Sequence, residues 1–361
     1  MAERRYPGIG VESGQVMTVF GSHPGREPWV TLIHEHILND VGANGPEPME
    51  ASRKGLFHRP LTIDILGEVR ALPQSNRDNQ LLTDIDLMSA EVAQFANWGG
   101  QSIVEPTTDS FVGRDVRGLQ QVSRRSGVNI IASAGYYVEL AHPPKLKDMS
   151  ADDIADEVVR DLTEGVPGTG VLAGSIGEIG IDKDFTAQEE KNLRGACRAS
   201  ARTQVPLSIH TIGVSPPDTR RRVLDIVEEE GADIRHTMMD HMTLRPNDFE
   251  SQLEIARRGA FLGYDTISSD FDWGFRGSGL CDHEIAADVK RLIDAGFIDQ
   301  VLLSHDVHLK IMLTAYGGGG YSYILRTFLP RLREQGITDA EIHTILVENP
   351  RRYFSSQYRD K

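Results

Sequence analysis

Eight short apolar segments, most of them followed by a charged stretch with helical spacing, predict a closed barrel of parallel β-strands surrounded by α-helices, the (β/α)8 or TIM barrel. The segments are almost continuously apolar, which is typical of strands buried on both faces in a parallel sheet. The stretches between them carry apolar residues at i, i+3 and i+4, the spacing of a helix that packs along one face. Eight such units favour a closed barrel over an open, doubly wound sheet.

The strand predictions rest on runs of apolar and β-branched residues bounded by polar turns. The predicted strands, in chain order, are WVTLIHEH, QSIVEPTT, NIIASAGYY, VLAGSIGEIG, PLSIHT, RHTMMDHM, GAFLGYDT and QVLLSHDV. The clearest helices between them are predicted at 85–98, 151–162, 187–203 and 218–231. Gly317–Gly320 follow the last strand without the spacing of a phosphate-binding loop, so a nucleotide-binding fold is not supported.

Three connections are longer than ordinary turns, at about 37–82, 265–282 and 307–323. Each follows a predicted strand, and in this type of barrel the loops after the strands surround the active site. We therefore expect these loops to determine substrate specificity. Because no repeat or Pro/Ser-rich linker divides the chain, residues 1–361 are predicted to form a single domain.

The composition predicts a cytoplasmic enzyme that acts on a small molecule. A net charge of −15 argues against nucleic acid or an anionic membrane surface as a partner. No apolar run approaches the roughly 18–20 residues of a membrane span, and no apolar segment of a secretory signal follows the N-terminal arginines. Cys197 and Cys281 form no CxxC pair, so the sequence predicts neither a disulfide framework nor a cysteine zinc site.

Histidines and acidic residues recur where the predicted strands end. They are His34, His36, Glu178, His210, His241 and Asp306. Such side chains are costly at the end of a buried strand unless they are paired or bound to a metal. One histidine there would more often be an ordinary core residue, but six groups at one end of a barrel favour a shared site. Since residues i and i+2 face the same side of a strand, His34 and His36 should project into the barrel mouth. Glu35, between them, should pack or accept a hydrogen bond outside it.

Four imidazoles with two carboxylates suit zinc, with manganese, cobalt or iron as alternatives. Six ligands exceed the needs of one tetrahedral zinc ion, so the set predicts two divalent ions about 3.5–4 Å apart, bridged by a carboxylate and a hydroxide. Two cations lower the pKa of a bridging water toward neutrality. The hydroxide would attack a carbonyl or phosphoryl group, and Asp306 would take up its proton.

The segments TLIHEHI, GEIGID, PLSIHT, MMDHM and LLSHDV, in this order, resemble the phosphotriesterase-like family of the amidohydrolase superfamily. VMTVFGSHPG, SAGYYVELAHPP, YGGGGYSYIL and VENPRRYF agree with it, so the resemblance extends from about Gln15 to Phe354. It implies a (β/α)8 barrel with two divalent metals at the C-terminal ends of the strands, and it suggests a homodimer.

The resemblance also implies roles for the ligands. His34, His36 and Asp306 would bind the buried ion, and His210 and His241 the more exposed one. Many family members bridge the metals with a carboxylated lysine, whereas Glu178 stands at this position and matches the subgroup that bridges with glutamate. Lys183, in the following loop, is a less favoured alternative bridge.

Several neighbouring side chains are candidates for contact with the substrate. They are Tyr136, Tyr137, His308 and Arg276, each with a structural or solvated role as the alternative. In related enzymes a tyrosine of this region can lie near the reacting group, and Tyr137 is favoured for that role. Strand alternation should turn His305 away from the mouth and Asp240 toward the helix layer, while Asp265 could orient a ligand or cap a turn.

The leading functional hypothesis is a metal-dependent hydrolase of a carboxylic ester or lactone. Hydrolysis of an amide or carbamate by the same mechanism is the alternative, and phosphotriester hydrolysis would be a weak side activity. A catalytically silent metal- or ligand-binding barrel is the remaining alternative. It is disfavoured because all six ligand positions are filled.

Overall fold

The chain folds as a barrel of eight parallel β-strands surrounded by helices, as predicted. The computed structural model describes residues 15–24, 29–42, 45, 47–109, 112–211, 217–245, 248–269 and 280–355. The strands, in chain order, are β1 Gln15–Thr18, β2 Gly21–Pro24, β3 Thr31–Leu32, β4 Asn39–Asp40, β5 Leu81–Leu82, β6 Ser102–Glu105, β7 Asn129–Ala134, β8 Ser175–Ile181, β9 Leu207–Thr211, β10 Thr237–Met239, β11 Phe261–Tyr264 and β12 Val301–Leu303.

The barrel sheet contains β3 and β6 to β12, each paired in parallel with the next. The first and last of these strands meet at a seam, where the Asp306 N–H donates to the His34 carbonyl at 3.2 Å. The other strands form two antiparallel pairs: β1 with β2 before the barrel, and β4 with β5 across the first long loop.

Helices follow the strands and cover the outside of the barrel. They are α1 Ala51–Phe57, α2 Leu66–Ala71, α3 Ile85–Asn97, α4 Val116–Ser126, α5 Ala151–Thr163, α6 Ala187–Thr203, α7 Pro217–Glu229, α8 Phe249–Arg258, α9 Asp282–Asp294, α10 Leu329–Glu334, α11 Asp339–His343 and α12 Asn349–Phe354. The four helices predicted most clearly correspond to α3, α5, α6 and α7. Side-chain caps explain why several begin where they do: Ser150 and Thr186 form capping boxes at α5 and α6. No described helix combines the length and hydrophobicity that a membrane span requires.

The barrel interior is sealed at one end by an apolar cluster, which we call the floor. It consists of Val16, Trp29, Ile33, Val104, Ile131, Met238, Phe261, Leu302 and Tyr353. Alternate strand residues such as Leu32, Ile103 and Leu262 belong instead to the large core between sheet and helices. This alternation is the two-sided burial that makes the strands read as continuous apolar runs.

The regular part of each strand is shorter than its apolar run, because the backbone changes direction at the mouth. His241 and Asp306 have φ angles of 61° and 53°, in the left-handed region that residues other than glycine rarely adopt. The first long loop contains β4, α1, α2 and β5. It contacts the loop after β12, where Lys310 Nζ lies 2.6 Å from Asp78 and Arg70 donates to the Gly317 carbonyl at 3.0 Å.

Candidate metal centre

The six predicted ligands converge at the mouth of the barrel around Glu178. Oε1 of this carboxylate lies 3.1 Å from His36 Nε2, and Oε2 lies 3.6 Å from His34 Nε2. Oε2 is also 3.0 Å from His210 Nδ1 and 3.7 Å from His241 Nε2. Glu178 on β8 is therefore within reach of every histidine in the set, as a bridging ligand must be.

Asp306 completes the arrangement from the opposite side of the seam. Its Oδ1 lies 3.6 Å from His34 Nε2 and 3.5 Å from His36 Nε2. Four overlapping groups of potential ligands result, namely His34, His36 and Glu178; Glu178, His210 and His241; His34, His241 and Asp306; and His34, Asp240 and Asp265.

The chemistry of these side chains fits divalent cations. Nitrogen and oxygen donors about 2.0–2.2 Å from one tetrahedral ion lie roughly 3.3–3.6 Å from each other, and most of the separations above are close to this value. His34 is fully buried, and neither of its ring nitrogens has a hydrogen-bond partner among the described residues. A buried imidazole without a partner is costly, and a cation at Nε2 would remove that cost.

A second set of buried polar groups holds the histidines from behind. Asp265, at the end of β11, lies 3.0 Å from His241 Nδ1 and also accepts from the His241 backbone N–H. Thr107 Oγ1 lies 2.8 Å from His36 Nδ1 and donates to Glu105 at 2.5 Å. These contacts leave Nε2 of each ring directed at the cluster, which is how outer-shell carboxylates orient metal-binding histidines.

Asp240 corrects one prediction. It was expected to face the helix layer, but its carboxylate lies inside the barrel, where it accepts from Ser208 Oγ at 2.7 Å and lies 3.6 Å from His34 Nδ1. The reason is the register of β10: Asp240 is two residues after Met238 of the floor and shares its inward face. If the alternation of the strand continued, the next residue, His241, would face the opposite side. Its positive φ ends the alternation, so its side chain also reaches the mouth.

The remaining candidates lie in different places. The Tyr137 hydroxyl is 3.3 Å from His210 Nε2, at the cluster. Tyr136 points the other way and donates to Glu157 of α5, so its position does not support a contact with substrate. His308 is half-buried, with Nδ1 3.4 Å from Asp306 Oδ1. Lys183 is exposed in the loop after β8, and its position does not support a bridging role. The predicted substrate-binding residue Arg276 is outside the described residues.

Two further predictions hold. His305 is turned away from the mouth: its Nδ1 lies 2.6 Å from Glu35, and its Nε2 accepts from the Ile324 N–H at 3.0 Å. Glu35 is fully buried and accepts hydrogen bonds outside the cluster. Asp265 contacts the His241 ring at Nδ1, as it would if it oriented a ligand, which was one of the two roles considered for it.

Burial and the close charges shift the pKa values of the protein groups strongly. Burial alone would raise the pKa of Asp306, but His308, His34 and His241 lower it to about 2. Burial alone would lower the pKa of His36, but Glu178, with smaller effects of other carboxylates, raises it to about 9. The His36 imidazole and the carboxylates around it thus stabilise each other's charged forms, and a cation would have to displace the proton of His36.

Sequence reasoning missed Glu105 and Thr107. Glu105 ends the second barrel strand and Glu178 lies within the fourth, so the signal used for the other ligands, an ionisable side chain in an apolar strand segment, applies to Glu105 too. Burial raises its pKa to about 7, against the opposing effects of His36 and Thr107. Only the structure shows that it acts on His36 through a hydroxyl instead of binding in the cluster.

Comparison with known proteins agrees with this geometry. A profile described as the phosphotriesterase family matches residues 14–354. An N-acetyltaurine hydrolase from Danio rerio is 32% identical over 352 residues, which are 95% of this chain and 98% of the relative.

Two solved structures extend the comparison. A resiniferatoxin-binding protein from Rhodobacter sphaeroides is 45% identical, with a TM-score of 0.93 and 98% of both chains covered. A lactonase from Listeria monocytogenes is 25% identical, with a TM-score of 0.75 over 94% of this chain and 99% of the other. The family profile, the full-length relatives and the cluster of ligands lead to one conclusion: this chain is a metal-dependent hydrolase and belongs to the phosphotriesterase family.

Proposed function

We propose that the protein uses two divalent cations to hydrolyse a carboxylic ester or lactone. Zinc is our first choice of metal, and manganese, cobalt and iron suit the same ligands. The observation that carries this proposal is the position of Glu178, whose two oxygens lie 3.0–3.7 Å from a nitrogen of each of four histidines. One carboxylate shared by two groups of imidazoles is the ligand arrangement that two neighbouring cations require.

The ligands divide into two sets. His34, His36 and Asp306 would hold one cation, His210 and His241 the other, and Glu178 both. When bound, the two cations would polarise the carbonyl oxygen of the substrate and lower the pKa of a shared water molecule. The chain contributes the orientation of the ligands, through Asp265 on His241 and Thr107 on His36.

Asp306 would accept the proton of the attacking water. Its Oδ1 lies 3.6 Å from His34 Nε2 and 3.5 Å from His36 Nε2, and the neighbouring imidazoles keep the carboxylate ionised by holding its pKa at about 2. An ionised carboxylate at this place can take a proton and pass it to the leaving group.

Tyr137 would contact the reacting group of the substrate. Its hydroxyl lies at the edge of the His210 ring, and burial, reinforced by Glu178 and Asp306, raises its pKa well above the ordinary value of a tyrosine. The hydroxyl therefore stays protonated and can donate a hydrogen bond to a substrate oxygen.

An ester or lactone is our first choice of substrate, because its alkoxide leaves more readily than an amine and the lactonase from Listeria monocytogenes shares the fold over most of both chains. Hydrolysis of an N-acyl amide is the second candidate. It is supported by relatives named N-acetyltaurine hydrolase, which are similar to this chain over 95% of its length.

A matched pair of substrates tests the choice directly. N-acetyltaurine and its oxygen analogue, the acetyl ester of 2-hydroxyethanesulfonate, differ only in the atom that leaves. We would assay both by the release of acetate, because hydrolysis of the amide near neutral pH releases no net proton, and would test a series of lactones by acid release and a chromogenic phosphotriester beside them. Turnover of esters or lactones well above that of the amide supports the first choice, whereas turnover of the amide alone refutes it. Two metals per chain without hydrolysis of any substrate would instead favour a silent binding barrel.

A further inference from the structure

Other neighbouring strands of the barrel are joined by backbone hydrogen bonds. At the seam between the first and last strands, a side chain makes most of the hydrogen bonds instead. β11 and β12 are paired at three positions, Leu262 with Val301, Gly263 with Leu302 and Tyr264 with Leu303. Between β12 and β3, one backbone-to-backbone hydrogen bond, from Asp306 to His34, crosses the seam in the described part of the chain.

Glu35 occupies this seam. Its Oε1 accepts from Ser304 Oγ at 2.7 Å, from the His305 N–H at 2.8 Å and from His305 Nδ1 at 2.6 Å. Its Oε2 accepts from the Val307 N–H at 3.0 Å. One carboxylate from the first strand segment thus takes four donors from three residues, Ser304, His305 and Val307. The N–H of the remaining residue of this stretch, Asp306, binds the His34 carbonyl.

This contact joins the two halves of one ligand set. His34 and His36 flank Glu35 on the first side of the seam, and Asp306 lies between the Glu35-bonded residues His305 and Val307 on the second side. The distances of 3.5 and 3.6 Å from Asp306 Oδ1 to the two imidazoles are measured across that seam. A slip of either strand against the other would change these distances.

His305 extends the contact into the helix layer. Because its Nε2 accepts from the Ile324 N–H, its Nδ1 carries the proton that is donated to Glu35. Ser304 also accepts from the His34 N–H at 3.0 Å, so the seam is bonded in both directions. Every one of these groups is buried, so water does not compete for the bonds.

We infer that Glu35 is a positioning residue for the metal centre: it sets the register of Asp306 against His34 and His36, and so determines the geometry and affinity of the cation that these three ligands hold. The inference rests on the proposed ligand set. Outer-shell partners of this kind typically change metal affinity about 10–100-fold when they are removed.

The test is the variant Glu35→Gln. Its amide oxygen can keep the three bonds of Oε1, while its NH2 group faces the Val307 N–H and loses the fourth. We expect the apparent Kd of the tighter site for Zn²⁺ to rise about tenfold, measured by competition with a chromogenic chelator. We also expect a changed visible spectrum of the Co²⁺-loaded protein. Glu35→Ala loses all four bonds and, if it folds, should show larger changes of both the Kd and the spectrum. If it does not fold, Glu35→Gln alone tests the inference.

Glu91→Gln is the matched control. Glu91 is also a buried glutamate of similar bonding, since it accepts from Thr314 N–H at 3.0 Å, Thr314 Oγ1 at 2.7 Å and Ala315 N–H at 2.8 Å. It anchors the loop after β12 away from the seam. We expect it to lower the Tm without changing the Co²⁺ spectrum or the Kd. Equal Kd values and equal spectra for Glu35→Gln, Glu91→Gln and the unmodified protein would overturn the inference.

The same titration separates this inference from the proposed ligand set. If the unmodified protein binds no Zn²⁺, or if His34→Asn binds it as tightly as the unmodified protein does, the ligand set itself is wrong. If the unmodified protein binds two ions, His34→Asn weakens the binding and Glu35→Gln does not, only the role of Glu35 is refuted.

Discussion

The floor and the mouth of the barrel are built by the same strands and differ in what they require of their residues. In the floor, Phe261 and Leu302 pack against other apolar side chains, and burial alone stabilises them. A few residues further along the same strands, Asp265 and Asp306 are almost as deeply buried but have polar carboxyl side chains. The mouth is therefore stable only through opposite charges, hydrogen bonds and bound cations. The difference shows that one end of the barrel provides folding stability while the other accepts an energetic cost for the sake of chemistry.

The largest effect that we expect is a loss of turnover, caused by a substitution in the mouth. Asp306→Asn should lower turnover by about three orders of magnitude or more, because the amide cannot accept the proton of the attacking water. At least one metal should remain bound, since Glu178 and the histidines are intact. Kinetics together with metal analysis of the purified variant would check both points. Near-normal turnover in the metal-loaded variant would contradict the role of Asp306.

In the floor, by contrast, a substitution should lower stability and leave metal content and turnover unchanged. Phe261→Ala removes a buried ring that packs edge-on against Tyr353, with ring centroids 5.5 Å apart. The free energy of unfolding should fall by about 3–5 kcal/mol. Urea unfolding of the metal-loaded protein measures it, with Zn²⁺ content and turnover recorded well below the Tm. If this variant loses its metals while still folded, floor and mouth are not separate as we describe them.

Metal binding should depend on pH through the titratable groups of the mouth alone. In the protein without cations, burial lowers the pKa of His36 but Glu178 and the other carboxylates raise it to about 9. Below that pH the imidazole holds a proton that a metal must displace, so affinity should rise about tenfold per pH unit for each proton released. The part of this rise that is due to His36 should level off above about pH 9. Calorimetry in two buffers of different ionisation enthalpy counts the protons. An affinity that does not change between about pH 6 and 8 would contradict the charge balance described here.

The smallest effect distinguishes two adjacent tyrosines. Tyr137→Phe should lower kcat by about tenfold without loss of metal, because one hydrogen bond to the substrate is removed. Tyr136→Phe is its control: it loses the bond to Glu157 outside the barrel and should cost about 1 kcal/mol of stability while kcat stays the same. Similar kcat values for both variants would remove Tyr137 from the reaction.

Much of the fold and of the site could be predicted from the sequence. The fold followed from the alternation of apolar strands with amphipathic helices. Polar and ionisable side chains in apolar strand segments are conspicuous, and they identified the candidate ligands that the structure brings together: His34, His36, Glu178, His210, His241 and Asp306. Asp240 was misplaced because alternation was counted from His241, whose positive φ breaks it. Such a backbone angle arises from the surrounding packing and leaves no mark on the residue type.

The sequence alone determined what is local and periodic: which segments become strands, which become helices, and which side chains have the chemistry to bind a cation. Tertiary structure alone decided which groups stand behind those ligands. Asp240 near His34, Thr107 and Glu105 behind His36, and Glu35 across the seam are contacts between residues 34–36 and positions about 70 to 270 residues away. Distances in space between such partners depend on closure of the whole barrel, and no short stretch of sequence encodes that closure.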